Sequence, residues 1–319
     1  MKRLVFATIV VLILAVISTM VGVYDLQWGS IFNADDGDNQ LVLLVSRVPR
    51  TIAIILTGMS MGVAGLIMQM LARNRFAGPG TSGTVESATL GLLTVLILAP
   101  GAPLMVKMIV ASVFALAGTG LFLGVLSRIP LRSPLIVPLV GIMLGGVISS
   151  ITNFFAYRYD LLQSLSVWTN GDFSRILRGR YELLWIAGIL TVIAYFAADR
   201  FTVAGMGEEF TTNLGLDYRK VVFIGMVIVA MVTAVDVVTV GSIPFLGLIV
   251  PNIVSMIMGD NVRRSLPWVA LFGAGFLLVS DTFGRLVRYP YEIPIGTVVG
   301  IVGSAIFLTL LLRRSARVG

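Results

Sequence analysis

The apolar positions of this chain come in long runs that carry few or no charges. A hydrocarbon core of roughly 30 Å needs about 20 helical residues to span it, and the stretches between Arg50 and Arg73 and between Lys107 and Arg128 meet that length without a charge. In lipid every backbone amide needs an internal partner, so such runs predict helices. We predict an all-α, polytopic membrane protein with about ten transmembrane helices, near residues 4–23, 49–71, 82–99, 105–127, 134–157, 181–198, 220–240, 245–258, 266–286 and 294–312.

Three local features refine this pattern. The division of 221–259 into two helices depends on Asp236, which interrupts the apolar run, and on GSIPF at 241–245, which must reverse the chain. The N-terminal run has the charged and apolar regions of a signal peptide, but it continues to about Val23 without a convincing cleavage site, so we interpret it as a retained first helix. Glycines four residues apart predict close helix contacts: Gly58 and Gly62, Gly141 and Gly145, Gly296 and Gly300.

The composition supports a membrane protein and excludes several chemistries. The chain is 57% hydrophobic and 12% charged, with a mean hydropathy of +0.98. It has no Cys and no His, which excludes thiolate nucleophiles, disulfides, zinc clusters and imidazole-dependent triads. We therefore expect no cofactor in this chain.

The net charge of +7 is explained by membrane topology, because the basic residues are scattered between apolar runs. If the N-terminus is cytoplasmic, most of the 23 Lys and Arg residues fall inside, as the positive-inside rule expects. An even number of helices then makes both termini cytoplasmic. We expect the lipid bilayer to surround the chain and expect no nucleic-acid partner.

Three acidic residues lie within or near apolar helices, where an ionised carboxylate is costly and is usually paired or faces a cavity. Asp281 precedes Arg285 by one helical turn, which predicts an ion pair. Glu86 follows the TSGT turn at 81–84, where it could cap a helix or line a path. The third acidic residue is Asp236, which lies within the apolar run predicted at 220–240.

The order of three segments resembles the permease family of ABC importers for iron-siderophores and vitamin B12. The segments are SRVPRTIAIILTGMSMGVAGLIMQMLARNRFAGPGTSG at 46–83, AGMGEEFTTNLGLDYRK at 204–220, and the block 241–314. That block combines LGLIVP, a basic turn, an Asp-containing helix and EIPIG. GRYELLW, NRFAGPGTSGT and the helix bearing Glu86 are most similar to the branch for ferric catecholate siderophores of the petrobactin or vibriobactin type.

The resemblance implies a type II ABC importer permease that moves an iron-siderophore across the cytoplasmic membrane of a bacterium, with vitamin B12, haem or another chelate as alternative substrates. The whole chain, 1–319, would form one transmembrane permease domain. The implied partners are two ABC ATPase subunits, a second permease that is identical or homologous, and an external siderophore-binding protein. The chain would not itself be an enzyme, since none of its lysines lies in a G-x-x-x-x-G-K-[ST] phosphate loop.

The resemblance also implies two contact sites. The coupling segment, 204–220, would lie against the ATPase, with contacts from Gly207, Glu208, Glu209, Asn213, Leu214 and Gly215. Arginines would receive carboxylates of the binding protein, since a guanidinium can grip a carboxylate with two hydrogen bonds. They are Arg47, Arg50 and Arg285, with Arg288 as an alternative to the last. Arginines at helix ends can also be simple interfacial anchors. Glu86 departs from the small, Ser/Gly-rich family pattern and is a candidate for lining the path.

Two other functions compete with the importer. An ion-coupled secondary transporter acting alone would need interrupted helices around an acid near the membrane midplane, and Asp236 beside GSIPF is the candidate. A membrane scaffold without transport activity would explain the helices but not the coupling segment. The basic residues Arg175, Arg178 and Arg180 in one predicted external loop would favour an anionic ligand.

Overall fold

The computed structural model describes residues 2–22, 37–129, 135–259 and 261–315, and every regular element within these ranges is helical. A π-helical turn at Leu43–Arg47 leads into the third helix, and a 3-10 turn at Pro79–Thr81 precedes the fourth. The α-helices are α1 Lys2–Met20, α2 Gly37–Val42, α3 Val48–Leu71, α4 Thr84–Leu98, α5 Leu104–Leu126, α6 Ile136–Arg158, α7 Leu162–Thr169, α8 Leu184–Ala204, α9 Glu208–Asn213, α10 Tyr218–Thr239, α11 Leu246–Met258, α12 Val262–Leu286 and α13 Ile295–Ser315.

All ten predicted helices are present, as α1, α3, α4, α5, α6, α8, α10, α11, α12 and α13. Within the described ranges, seven helices are long and apolar enough to cross a membrane, and three apolar helices, in α4, α11 and α13, are shorter. The helix predicted at 181–198 continues to Ala204, and the one predicted at 266–286 begins at Val262. The earlier start arises because Asn261 caps that helix by accepting a hydrogen bond from the backbone N–H of Arg264 at 2.9 Å.

Helix α3 is the centre of the bundle and packs against α8, α10, α11 and α12. A Cβ atom at Gly58 would lie 2.5 Å from the carbonyl oxygen of Gly273 on α12, so the two backbones are in direct contact. Gly65 meets the carbonyl of Gly247 on α11 in the same way. These contacts have the close-packed form that the spaced glycines predict. Large apolar side chains on α1 and α6 point away from the bundle, as suits a protein surrounded by lipid or a partner.

The chain reverses between α10 and α11 in a non-helical segment, 240–245, which we name the Ser242 turn. The predicted division of 221–259 is therefore confirmed. The turn bonds to the end of α7: Ser242 N donates to Trp168 O at 3.1 Å, and Gly171 N donates to Ser242 O at 2.8 Å. Gly296, at the start of α13, donates to Gly171 O at 3.0 Å. Neighbouring protein thus satisfies backbone groups that lipid could not.

The two ends of the bundle differ in their polar groups. At one end α3 begins and α12 ends, and the segment 170–183 reaches it, since Arg178 N donates to Val45 O at 2.9 Å. We name this the Arg50 end. The opposite end carries the short helix between α8 and α10, and we name it the α9 end. Both termini are predicted to be cytoplasmic, and their end residues, 1 and 316–319, lie outside the described residues.

Candidate functional site

Three arginines and two acids form a charged cluster at the Arg50 end. Arg50 donates from Nη1 to Glu292 Oε2 and from Nη2 to Asp281 Oδ1, each at 2.8 Å. The other oxygen of Asp281 lies 2.8 Å from Nη2 of Arg285, an ion pair one turn along α12. That pair confirms the prediction from their spacing. Arg47 completes the cluster by donating to the carbonyl of Val21.

Arg285 also links α1 to α12 through hydrogen bonds. Its Nη1 donates to the carbonyls of Ser18 at 2.9 Å and Val21 at 2.6 Å, and its Nη2 donates to Ser18 Oγ at 2.6 Å. The charges therefore join α1, α3, α12 and the segment before α13.

The cluster is mostly buried within the chain. The side chain of Arg50 is 12% exposed, those of Asp281 and Arg285 are 3% exposed, and that of Glu292 is 28% exposed. The structure thus brings the three predicted docking arginines together, but it gives them internal partners. Arg288 is exposed, with its guanidinium carbon 5.8 Å from the ring centre of Tyr291. Docking of a binding protein at this end stays a prediction.

The coupling segment forms a compact projection at the α9 end. Gly207 and Gly215, which flank α9, adopt φ values of +111° and +77°, a region that favours glycine. Thr211 connects α9 to α8, because its buried Oγ1 lies 3.2 Å from the carbonyl oxygen of Val203 on α8, in addition to 2.6 Å from Gly207 O at the start of α9. Asp217 caps α10 by accepting from Lys220 N at 3.2 Å, and this hydrogen bond lowers the pKa of Asp217. The segment contains one short helix, α9.

The candidate contact residues of this segment differ in exposure. Gly207 is buried and faces Arg73, whereas the other five candidates, Glu208, Glu209, Asn213, Leu214 and Gly215, are exposed. The sequence analysis missed two exposed apolar side chains beside them, Met206 and Phe210. With Leu214 these recur every four residues, but Met206 and Leu214 lie just outside α9, so Phe210 is the exposed apolar residue on the helix itself.

Glu86 lies in the first turn of α4 and lines a polar pocket of about 180 Å³. α4, α6, α7 and the Ser242 turn form its walls. No described group donates a hydrogen bond to Glu86 Oε2, which is buried. A Cβ at Gly145 of α6 would lie 3.3 Å from that oxygen, so the glycine makes room for the carboxyl group.

Asp236 is buried between α10 and α3. Its two oxygens accept hydrogen bonds from Thr57 Oγ1 and Ser60 Oγ, each at 3.3 Å. Within the described ranges no cationic side chain pairs with it. Asp236 is therefore held by hydroxyl groups of the central helix, away from the pocket of Glu86.

These features define a membrane-embedded transport permease: apolar helices, a polar pocket between them, and an exposed projection at one end. The chain belongs to the FecCD transport family, which it matches over residues 10–313. It is accordingly the permease subunit of an ABC importer.

Several relatives are similar over nearly the whole chain. The petrobactin import system permease YclN of Bacillus subtilis is 50% identical, covering 98% of this chain and 99% of the relative. The petrobactin permease FatD of Bacillus anthracis is 42% identical over 98% of this chain and 92% of the relative. The ferric-anguibactin permease FatD of Vibrio anguillarum is 38% identical over 86% of this chain and 87% of the relative.

The fold is also similar to a solved structure. A protein described as a metal-chelate type ABC transporter, in an inward-facing conformation, superposes with a TM-score of 0.82 at 24% identity, covering 98% of this chain and 99% of that one. This similarity confirms the predicted type II importer fold.

Proposed function

We propose that this chain carries a ferric siderophore of the catecholate type through the cytoplasmic membrane of a bacterium. The observation that carries the proposal is the 50% identity, over nearly the full length of both chains, to a permease named for petrobactin import. The α9 end faces the cytoplasm in this proposal, and both chain termini are cytoplasmic.

Transport is driven by two ATPase subunits that bind the coupling segment. An exposed short helix, bonded to α8 through Thr211 and flanked by two glycines, can transmit a displacement to α8 and α10, which it joins. Its acidic first turn, Glu208 and Glu209, favours a basic contact on the ATPase.

An external binding protein delivers the siderophore at the Arg50 end. The guanidinium groups of the cluster can bind carboxylates of that protein with two hydrogen bonds each, with Arg47, Arg50 and Arg285 as the predicted contacts. The same end has a pocket of about 490 Å³ lined in part by Lys107, Arg175 and Arg180. These cations favour an anionic ferric siderophore over a neutral one.

A second permease, either a copy of this chain or a homologue, completes the path. The exposed apolar faces of α6 and α13 can pack against it or against lipid. Glu86 lies one helix layer inside α6 and is the acid that we assign to the path.

The test is reconstitution in liposomes with radiolabelled ferric siderophore. The permease with its ATPase, binding protein, any second permease and internal ATP should accumulate the label. The permease alone should not accumulate it under a proton or sodium gradient. Accumulation by the lone chain would instead identify an ion-coupled transporter.

A further inference from the structure

We propose that the Glu86 pocket binds a monovalent cation, which is either an alkali metal ion or the ammonium group of an organic molecule. The first step of the argument is the unsatisfied carboxyl group. Glu86 Oε2 is buried with no hydrogen-bond donor among the described residues. A buried acid in a membrane protein is costly unless it is paired or faces a cavity with polar contents. The pocket supplies the cavity, and a cation would supply the pair.

The second step is the polarity of the walls. Thr89 Oγ1 donates to Val85 O at 2.9 Å, Thr152 Oγ1 donates to Ile148 O at 2.8 Å, and Thr169 Oγ1 donates to Ser166 O at 3.2 Å. A hydroxyl group has one proton, so these three can offer only lone pairs to the pocket. Their orientation makes the pocket electronegative and suits a positive charge.

The third step is the absence of a competing cation in the protein. None of the nine residues that line the pocket, all within the described ranges, is basic. The remaining polar wall residues, Ser149, Asn153 and Ser242, each carry an oxygen atom that can coordinate a cation, and their hydroxyl and amide donors do not reach Glu86 Oε2. The helix dipole of α4 offsets part of the charge of Glu86 but leaves Oε2 without a donor.

Volume and charge set the class of ligand. The pocket, at about 180 Å³, is roughly six times the ~30 Å³ that one water molecule occupies. It can hold a partly hydrated alkali ion or an ammonium group with a short alkyl chain. Ca²⁺ and Mg²⁺ sites generally use more carboxylate than a single Glu, and no cluster of three acidic or His side chains is present in the described part of the chain. The site therefore fits a single positive charge.

Direct binding to the purified permease in lipid nanodiscs tests the proposal without ATPase or siderophore. ²²Na⁺ and ¹⁴C-methylammonium are measured separately, in a buffer whose only other cation is N-methyl-D-glucamine. The wild type should bind at least one probe saturably, and Glu86→Gln should weaken that binding about tenfold or more. Glu182→Gln, which alters an exposed acid outside the pocket, is the matched control and should bind as the wild type does.

The two probes distinguish the source of the charge. Binding of ²²Na⁺ that K⁺ or Na⁺ displaces identifies an alkali ion site, whereas binding of methylammonium alone identifies a site for an amine. If folded wild-type permease binds neither probe, the proposal is wrong. Infrared difference spectra of wild type and Glu86→Gln give a second measurement: a protonated-carboxyl band from Glu86 that persists at saturating probe concentration would also overturn it. Because no step requires transport, failure here leaves the proposed import function untouched.

Discussion

Replacing Asp281 with Asn should destabilise the permease more than any other single change in the cluster at the Arg50 end. Asp281 neutralises Arg50 and Arg285 together, with both contacts at 2.8 Å. Removing one partner of a buried ion pair typically costs about 3–5 kcal/mol, because a charge is left buried without compensation. The amide would keep an acceptor for one guanidinium, but two like charges would remain close together.

The comparison variant is Glu292→Gln, which removes the other acid of the same cluster. Glu292 is 28% exposed, and water screens such a pair, so the expected cost is about 0–1 kcal/mol. At roughly 2 °C per kcal/mol for a protein of this size, Asp281→Asn should lower the Tm by about 6–10 °C and Glu292→Gln by about 2 °C or less.

Thermal unfolding in detergent, followed by the fluorescence of the four Trp residues, measures both values. Thiol-reactive dyes cannot be used because the chain has no Cys. The double variant Asp281→Asn with Arg50→Gln should lose less stability than the sum of the two single variants, since it removes a buried charge together with its partner. Equal or reversed effects of Asp281→Asn and Glu292→Gln would refute the argument from burial.

Three further predictions concern the coupling segment and the buried acid of α10. Replacing Glu208 and Glu209 with Lys should leave membrane insertion intact but reduce co-purification of the ATPase; wild-type assembly together with wild-type uptake would remove these residues from the interface. Phe210→Ala should weaken ATPase binding about tenfold or more, since burying a Phe contributes about 1.5–3 kcal/mol. The control Phe6→Ala, on the exposed face of α1, should not change ATPase affinity. Asp236→Asn should retain most ATP-driven uptake because the amide keeps the size of the side chain and one acceptor; loss of uptake by a folded variant would point to an ion-carrying acid.

Features that depend on neighbours in the chain could be predicted from the sequence. The ten apolar helices follow from apolar runs with few charges, seven of which, in the described part of the chain, are long enough to cross a bilayer. The pair between Asp281 and Arg285 follows from the helical repeat. The coupling segment at 204–220 followed from the family resemblance, and the two glycines that flank its short helix adopt positive φ values.

Features that depend on packing could not be predicted. Arg50 and Asp281 are separated by 231 residues along the chain, so the burial of the arginines required the three-dimensional arrangement of α3 and α12. The walls of the Glu86 pocket come from three helices and a turn, which no local pattern brings together. The exposed apolar residues Met206 and Phe210 were not predicted because apolar residues are so frequent in this chain that they do not indicate an interaction surface.

The glycine contacts of α3 restrict how this permease can move. Between Gly58 and Gly273, and between Gly65 and Gly247, backbone touches backbone with no side chain to deform. Sliding α11 or α12 along α3 by part of a helical turn would drive a neighbouring side chain into the opposing main chain. Helices α3, α11 and α12 must therefore travel as one rigid body during a transport cycle. The same restriction applies to α6 and the turn before α4, because a Cβ atom at Gly141 would overlap the carbonyl oxygen of Thr81.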